Sequence, residues 1–321
     1  MPNASTDADV LHHHIAVQAR YPPGYYVDIR GTHYETKRQG NKETKDKVTD
    51  FYIRISIQYL LARKIGGGRI ECLRNNVRGY RGGRIPTLEP TVMTDEEMED
   101  QENQKDELML WCESYVQNPG SVKSFTLKRV VTNHDTLRLD KYIRSAISET
   151  RYRGHVSVTF PTTHDRVIVY SPGKINEWRV TTWIRWFFYL TFLWIVSWPA
   201  LFFLTRKYEV VKVYFDYADK MKNDDGGRLC TVMDELKWFN LWSSSIKRAA
   251  LARMNCAERT LDESYRQETA DAEARGGAAS ANPAPLPSTG NSFADAALGV
   301  LGQGLRVAEA WNDDRGWGYD R

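Results

Sequence analysis

Two stretches of this 321-residue chain place a histidine beside an aspartate, the pairing that general acid–base chemistry uses: Asn133-His134-Asp135 and Thr162-Thr163-His164-Asp165. Sequence neighbours seldom point at one site, and Asn, Asp and Thr are also what helix caps and turns select. Both pairs are therefore read as structural. His12, His13 and His14 are metal-ligand types, but no second ligand cluster accompanies them, and they are read as polar chain. Gly66-Gly67-Gly68 invites a phosphate-loop reading, which fails because no Lys followed by Ser or Thr stands at the required spacing. A nucleophile elbow, an H-E-x-x-H zinc motif, a dinucleotide fingerprint and an EF-hand loop are all missing. Cys72, Cys112, Cys230 and Cys256 are scattered without a C-x-x-C pair, the usage of reduced domains rather than a disulfide framework. The chain reads as non-enzymatic, with no metal and no cofactor.

Binding motifs are more specific. Pro22-Pro23-Gly24-Tyr25 matches PPxY, in which two prolines favour polyproline II and the tyrosine fills an aromatic groove of a WW domain. The competing reading is a Pro-Pro bend ahead of a strand. Arg74, Arg78, Arg81 and Arg84 lie among glycines, with Arg63, Lys64 and Arg69 nearby. They read either as a contact for anionic lipid headgroups or as a solvated loop. Trp317 between two glycines has the look of a linear motif but carries no assignment. A net charge of +3 argues against nucleic acid as a partner.

The elements that must position these residues are organised around Trp183–Leu204, WIRWFFYLTFLWIVSWPALFFL. From Trp186 to Leu204 there are nineteen uncharged residues, close to the ~20 that a helix needs to cross ~30 Å of hydrocarbon. Aromatics cluster toward both ends, as interface-seeking rings do. Trp183, Trp186, Phe187, Phe188, Trp194, Trp198, Phe202 and Leu204 are the residues assigned to the bilayer. The rest of the chain is polar, with negative mean hydropathy, and no cleavable signal peptide precedes the run. A single membrane helix is the simpler expectation. The alternative is a shallow hairpin bent near Ser197-Trp198-Pro199, required if the strand Tyr208–Phe215 joins the sheet that contains Val167 and Val169. Three basic residues within fifteen positions on each side (Lys174, Arg179 and Arg185; Arg206, Lys207 and Lys212) give the positive-inside rule nothing to choose between.

Around this run the periodicities predict an α+β fold: an antiparallel-rich sheet with one packed helix, one membrane helix and disordered tails. Phe51, Ile53, Ile55, Ile57 and Tyr59 alternate with polar residues as a half-buried strand does, and Arg69–Leu73 is its expected hairpin partner. Lys123–Val131 predicts another strand. Asp135 is placed to cap a helix whose Leu139, Tyr142, Ile143, Ala146 and Ile147 fall at spacings of three and four. The segments 155–160 and 166–170 read as a hairpin. Helical periodicity returns over 228–270, either lying at the headgroups through Trp238, Phe239 and Trp242 or docked on the domain. The expected divisions are a disordered arm at 1–47, a β-rich segment at 48–90, an acidic linker at 91–107, an α+β segment at 108–182, the membrane segment at 183–207, a strand and helical region at 208–270, and a low-complexity linker and tail at 271–321.

The stretches KSFTLKRVVTNHDTLRLDKYIRSAI, RGHVSVTFP and VIVYSPGKIN, with the aromatic run into TRKYEVVKVYF and a DFYIRISI strand, resemble a family of uncharacterised fungal integral-membrane proteins. Some members are labelled ABC-transporter-related, yet neither a Walker A loop nor an LSGGQ-like signature is present here. The resemblance implies a membrane location, internal or plasma membrane, and a shared domain, but no catalytic residues. The function expected is that of a membrane-anchored adaptor, its bulk cytosolic, offering Pro22, Pro23 and Tyr25 to a WW-domain partner of the ubiquitin-ligase type. The alternatives are a domain that binds or modifies anionic lipid, and an accessory subunit of a transporter.

Overall fold

A computed structural model of the chain describes residues 3–39, 42–61, 67–74, 76–88, 104–219, 229–257, 259–274 and 317–320. Among them the elements run α1 (Ala8–Gln18), β1 (Gly24–Gln39), β2 (Lys42–Ser56), β3 (Arg69–Cys72), β4 (Arg81–Gly83), α2 (Gln104–Gln117), β5 (Lys123–Thr132), α3 (Thr136–Glu149), β6 (His155–Thr159), β7 (Thr162–Thr163), β8 (Arg166–Tyr170), α4 (Lys174–Val180), α5 (Thr182–Leu190), α6 (Trp194–Leu204), β9 (Arg206–Asp216), α7 (Glu235–Leu251) and α8 (Glu263–Ala274). The class is α+β with antiparallel-rich sheets, as the periodicities predict. The domain divisions differ from a linear series. The chain forms two compact units, each assembled from three stretches: Met1–Gly24, Leu60–His134 and Thr162–Val232 make one, and Tyr25–Tyr59, Asp135–Pro161 and Met233–Arg321 the other.

In the unit that contains Tyr25, β1 and β2 form a long antiparallel hairpin, and β6 pairs with the other edge of β1. The register sets Val27 opposite Ile55, Ile29 opposite Ile53 and Val158, and Gly31 opposite Phe51 and Val156, so the apolar residues share one face. Gly31 is required there, since a Cβ would stand 2.2 Å from the Phe51 ring. Onto this unit's sheet pack α3, through Leu139, Ile143, Ala146 and Ile147, and α7, through Trp238, Trp242, Ile246, Ala249 and Ala250, all buried. Aspartates start these helices: Asp135 accepts from the Arg138 amide at 3.0 Å and Asp234 from the Lys237 amide at 2.7 Å. Of the two readings of 228–270, α7 takes the docked one, because Trp238 and Trp242 fill the core rather than face a headgroup layer. Near the end of the chain, Trp317 inserts beside Tyr152 and Phe51, with ring centroids 4.6 and 5.8 Å away, and donates its indole N–H to the Thr150 carbonyl at 2.9 Å. The expected tail at 271–321 and its acidic counterpart at 91–107 otherwise lie largely outside the described residues.

In the other unit, five strands take the order β3-β9-β5-β8, with β4 also on β9. Strand β5 is buried on both faces from Lys123 to Leu127, and α2 covers it through Tyr115, whose ring meets Phe125 and Tyr208 edge-on at 5.6 and 5.4 Å. The Lys123 ammonium donates to the carbonyls of Tyr115, Val116 and Asn118 and so closes the C-terminal end of α2, where backbone acceptors are left over. Burial, and after it the charge of Arg206, pushes Lys123 below the ordinary lysine range.

Three expectations are corrected here. Within the arm expected to be disordered over 1–47, residues 3–39 and 42–47 are ordered, because Asp7 caps α1, whose Leu11 and Ile15 are buried, and Val27 and Ile29 bring β1 into a core. Strand β3 pairs with β9 and not with the Phe51 strand. The segments 155–160 and 166–170 are not a hairpin: β6 pairs with β1 and β8 with β5, so non-local partners outweigh the short loop between them.

Candidate membrane-contact surface

The single membrane helix expected over 183–204 is not formed. The run folds as α5 and α6, separated at Thr191–Leu193, where Phe192 takes the left-handed backbone conformation with φ +57°. Among the described residues no helix is long and apolar enough to cross a membrane. The nine residues of α5 extend about 13 Å and the eleven of α6 about 16 Å, each near the depth of one leaflet. The break precedes the bend foreseen at Ser197-Trp198-Pro199, and Pro199 is accommodated inside α6.

Three threonines explain where the helices stop. Thr181, Thr191 and Thr205 occupy the C-caps of α4, α5 and α6, and each donates its hydroxyl to the carbonyl four residues back: Glu177 at 2.7 Å, Phe187 at 2.7 Å and Leu201 at 2.6 Å. Each hydroxyl partners a carbonyl that the helix end shares with few donors, which matters most where water is scarce. Across the break the rings of Tyr189 and Trp194 stack at 6.0 Å and hold the two helices in a fixed turn.

Almost nothing in this excursion is buried. Trp183 is 70% exposed, Trp186 64% and Trp198 73%, and Phe187, Trp194, Phe202 and Leu204 are exposed as well; of the residues assigned to the bilayer only Phe188 is half-buried. Each such aromatic presents on the order of 100 Å², so the surface exceeds several-fold the few hundred Å² of apolar patch usual on a soluble monomer.

Both ends of the excursion are fastened at the same end of one sheet. The strand Tyr208–Phe215 does join the sheet of Val167 and Val169: β9 lies parallel to β5, and β8 antiparallel to it on the other side. On departure, the Ser171 hydroxyl accepts from the Lys123 amide at 3.1 Å and donates to the Ser121 carbonyl at 2.9 Å, while the buried Asn176 amide donates to the Ser171 carbonyl at 2.9 Å. On return, the Arg206 amide donates to the Val122 carbonyl at 3.0 Å and its guanidinium to Asn118 Oδ1 at 2.6 Å. Neither the type nor the spacing of Ser171 and Asn176 marks them in the sequence. The S-P-G-K-I-N stretch holding them was the only signal.

Cations collect at this end. The Lys207 ammonium lies 3.9 Å from the centroid of the Phe202 ring and 4.8 Å from that of Tyr80, and the Arg179 guanidinium lies 4.9 Å from that of Tyr170. Burial lowers the Lys207 pKa, Glu209 opposes that, and the positive charge of Arg179 adds to it.

The other candidate residues are placed differently. Pro23 and Gly24 are buried and Tyr25 is 4% exposed, with its carbonyl accepting from the Ile57 amide at 2.8 Å. The PPxY stretch is thus the bend before β1, and only Pro22 remains half-exposed. Arg81 clamps its own loop by donating to the carbonyls of Arg74, Val77 and Thr87 at 2.6, 3.0 and 2.9 Å, while Arg74, Arg78 and Arg84 are exposed. The two His-Asp pairs keep structural roles: Asp135 caps α3, the His134 ring stacks on Tyr217 at 4.3 Å, and the carbonyls of His164 and Asp165 accept from Arg129. Among the described residues no group of three or more His, Cys, Asp and Glu could hold a metal ion. Burial pushes the thiols of Cys72 and Cys112 up to about 12, leaving them poor nucleophiles.

One polar cluster escaped the sequence reading. The His33 Nδ1 lies 2.9 Å from the Asp50 carboxylate and its Nε2 3.2 Å from Glu35, and the Tyr152 hydroxyl donates to Asp50 at 2.8 Å. The hydrogen bond to Asp50 raises the His33 pKa, burial opposes it, and Glu35 adds to the rise. An imidazole held between two carboxylates favours its charged form, which suits a structural cross-link better than a general base.

No family model, curated protein or solved structure matches this chain.

Proposed function

We propose that this protein is anchored in the plane of a membrane by α5 and α6, which enter one leaflet and return, leaving the α+β units at the surface. The observation that carries the reading is the pair of short, outward-facing apolar helices whose two ends rejoin neighbouring strands of a single sheet. A soluble chain would bury such a surface, and a spanning chain would not bring both ends back to one sheet end. The same location is implied by the resemblance to fungal integral-membrane proteins. The role is a non-enzymatic one, in which the anchored units act by contact with partners. The cap and turn roles of His134, Asp135, His164 and Asp165 favour this over acid–base chemistry.

Flotation of the full chain with neutral phosphatidylcholine vesicles tests the anchor. Wild type floats and resists an alkaline carbonate wash. Trp186→Ser with Trp198→Ser weakens binding by about 2 kcal/mol per tryptophan, roughly thirtyfold each, from the apolar area no longer taken out of water. Because neither ring is buried in the fold, the thermal midpoint stays where it was. Wild-type protein that stays with the aqueous fraction would refute the anchor.

A further inference from the structure

We propose that the sheet end at the foot of α5 and α6 is a binding site for a membrane-lipid headgroup of net negative charge, formed chiefly by Arg179 and Lys207 with Lys174, Arg206 and Arg84 around them. This rests on the in-plane anchor and names the lipid class it prefers. Three observations lead to it.

Several basic residues elsewhere in the chain pair with carboxylates, Arg54 with Asp28, Arg144 with Asp140, Lys247 with Glu149 and Arg266 with Glu263. Lys174, Arg179, Arg206 and Lys207 have no carboxylate within ion-pair distance among the described residues, although Glu177 on α4 and Glu209 on β9 are close in sequence. Arg206 spends one guanidinium nitrogen on the neutral Asn118. Glu209 acts on Lys207 through space without pairing with it, and like charges held together with so little counter-charge are a place where an anion is stabilised.

The cations are also oriented. Lys207 and Arg179 rest on the faces of Phe202 and Tyr170, one ring from α6 and one from the strand that leads to α4, so both charges stay level with the root of the inserted helices. Antiparallel pairing of β4 with β9 sets Gly83 opposite Lys207, and Arg84 continues past it toward the same end. That level is where headgroup phosphates lie when helices of this length occupy one leaflet. Of the Arg74–Arg84 set the register brings Arg81 and Arg84 to this end, and Arg81 is spent on the carbonyls of its own loop, which leaves the exposed Arg84.

A lipid headgroup and free phosphate share the recognised chemistry, and the test separates them. Flotation of the full chain compares neutral phosphatidylcholine vesicles with vesicles containing phosphatidylserine. Wild type prefers the anionic vesicles. Arg179→Gln with Lys207→Gln lowers binding to them by about 25-fold, roughly fivefold per charge near an anionic surface. Binding of that variant to neutral vesicles is unchanged, and Arg179→Lys with Lys207→Arg retains the preference. Equal wild-type affinity for both vesicle types overturns the headgroup site but spares the anchor. So does a preference that survives loss of both charges. Inorganic phosphate that abolishes the preference at matched ionic strength overturns the lipid assignment in favour of a free-anion site. Failure to float with either vesicle type overturns the anchor and, with it, this site.

Discussion

Tyr170, the last residue of β8, and Arg206, the first of β9, stand against adjacent residues of the strand between them, Ser124 and Lys123. With neighbouring strands about 4.8 Å apart, the exit and re-entry points of the apolar excursion are separated by only about 10 Å. Pairing across β5 therefore fixes the topology of everything between 171 and 205.

The first prediction concerns sidedness. With epitope tags at both ends and protease added to sealed microsomes, the two tags share one fate, because the chain turns back on the side it left. A protected tag at one end and a cleaved tag at the other would require the β5–β9 pairing to be absent.

The PPxY stretch behaves differently in a peptide and in the folded protein. A peptide of residues 15–35 presents Pro22, Pro23 and Tyr25 freely to a WW domain, whereas the intact chain holds Pro23 and Tyr25 buried at the start of β1. Pull-down with WW domains captures the peptide, loses it on Tyr25→Ala, and leaves the folded protein behind. Capture of folded wild type with the same Tyr25 dependence would show that this segment detaches.

His33 gives the stability a pH dependence of defined sign. Its pKa is raised on folding, chiefly by Asp50, so its contribution is complete below the unfolded value near 6.5 and is lost as pH rises through the folded value. The denaturant midpoint falls on going from pH 6 to pH 9, and His33→Gln removes most of that slope. A midpoint that rises with pH in wild type, and not in His33→Gln, would reverse the assignment.

Trp317 predicts that the last residues are structural. Trp317→Ala forfeits its contacts with Tyr152 and Phe51 and the hydrogen bond to Thr150, costing about 3 kcal/mol. Gly318→Val reaches a similar end by another route, since φ is +73° and a Cβ would stand 2.0 Å from the Tyr152 ring. Limited proteolysis of a C-terminally tagged protein reports both as faster loss of the tag. A tag lost equally fast from wild type would refute the docking.

What could be read in the sequence was local. The alternation from Phe51 as far as Ser56, the Asp135 cap and the Leu139–Ile147 stripe each describe an element whose own residues specify it and each formed, although the strand expected to run on through Tyr59 gives way to a 3-10 helix at Gln58–Leu61. The errors fall where the deciding partner is distant. Strand β1 carries only Val27 and Ile29 as aliphatic signal and depends on β2 and β6 to bury them. The short loop after Pro161 suggested a hairpin, but side-chain pattern says nothing about which edge a strand will find. In the apolar run, composition reported hydrophobicity and missed the helix ends. Those were set by Thr191 and Phe192, whose types are unremarkable until the hydroxyl and the left-handed backbone are seen together. The site at the foot of the helices was legible only in part, as Lys174, Arg179, Arg206 and Lys207 among the basic residues that flank the apolar run. Their convergence depends on β4, β8 and β9 meeting at one sheet end.

The parallel pairing of β5 with β9 also orders events during synthesis. Strand β9 sits between β3 and β5, yet it leaves the ribosome only after the most apolar segment of the chain. Until then β5 lacks the neighbour with which it pairs along its whole length. The nascent chain must hold an open sheet and two uncovered aromatic helices at once, the condition under which chains aggregate. Early capture of α5 and α6, by a bilayer or by a chaperone for apolar segments, would let β9 close the sheet behind them.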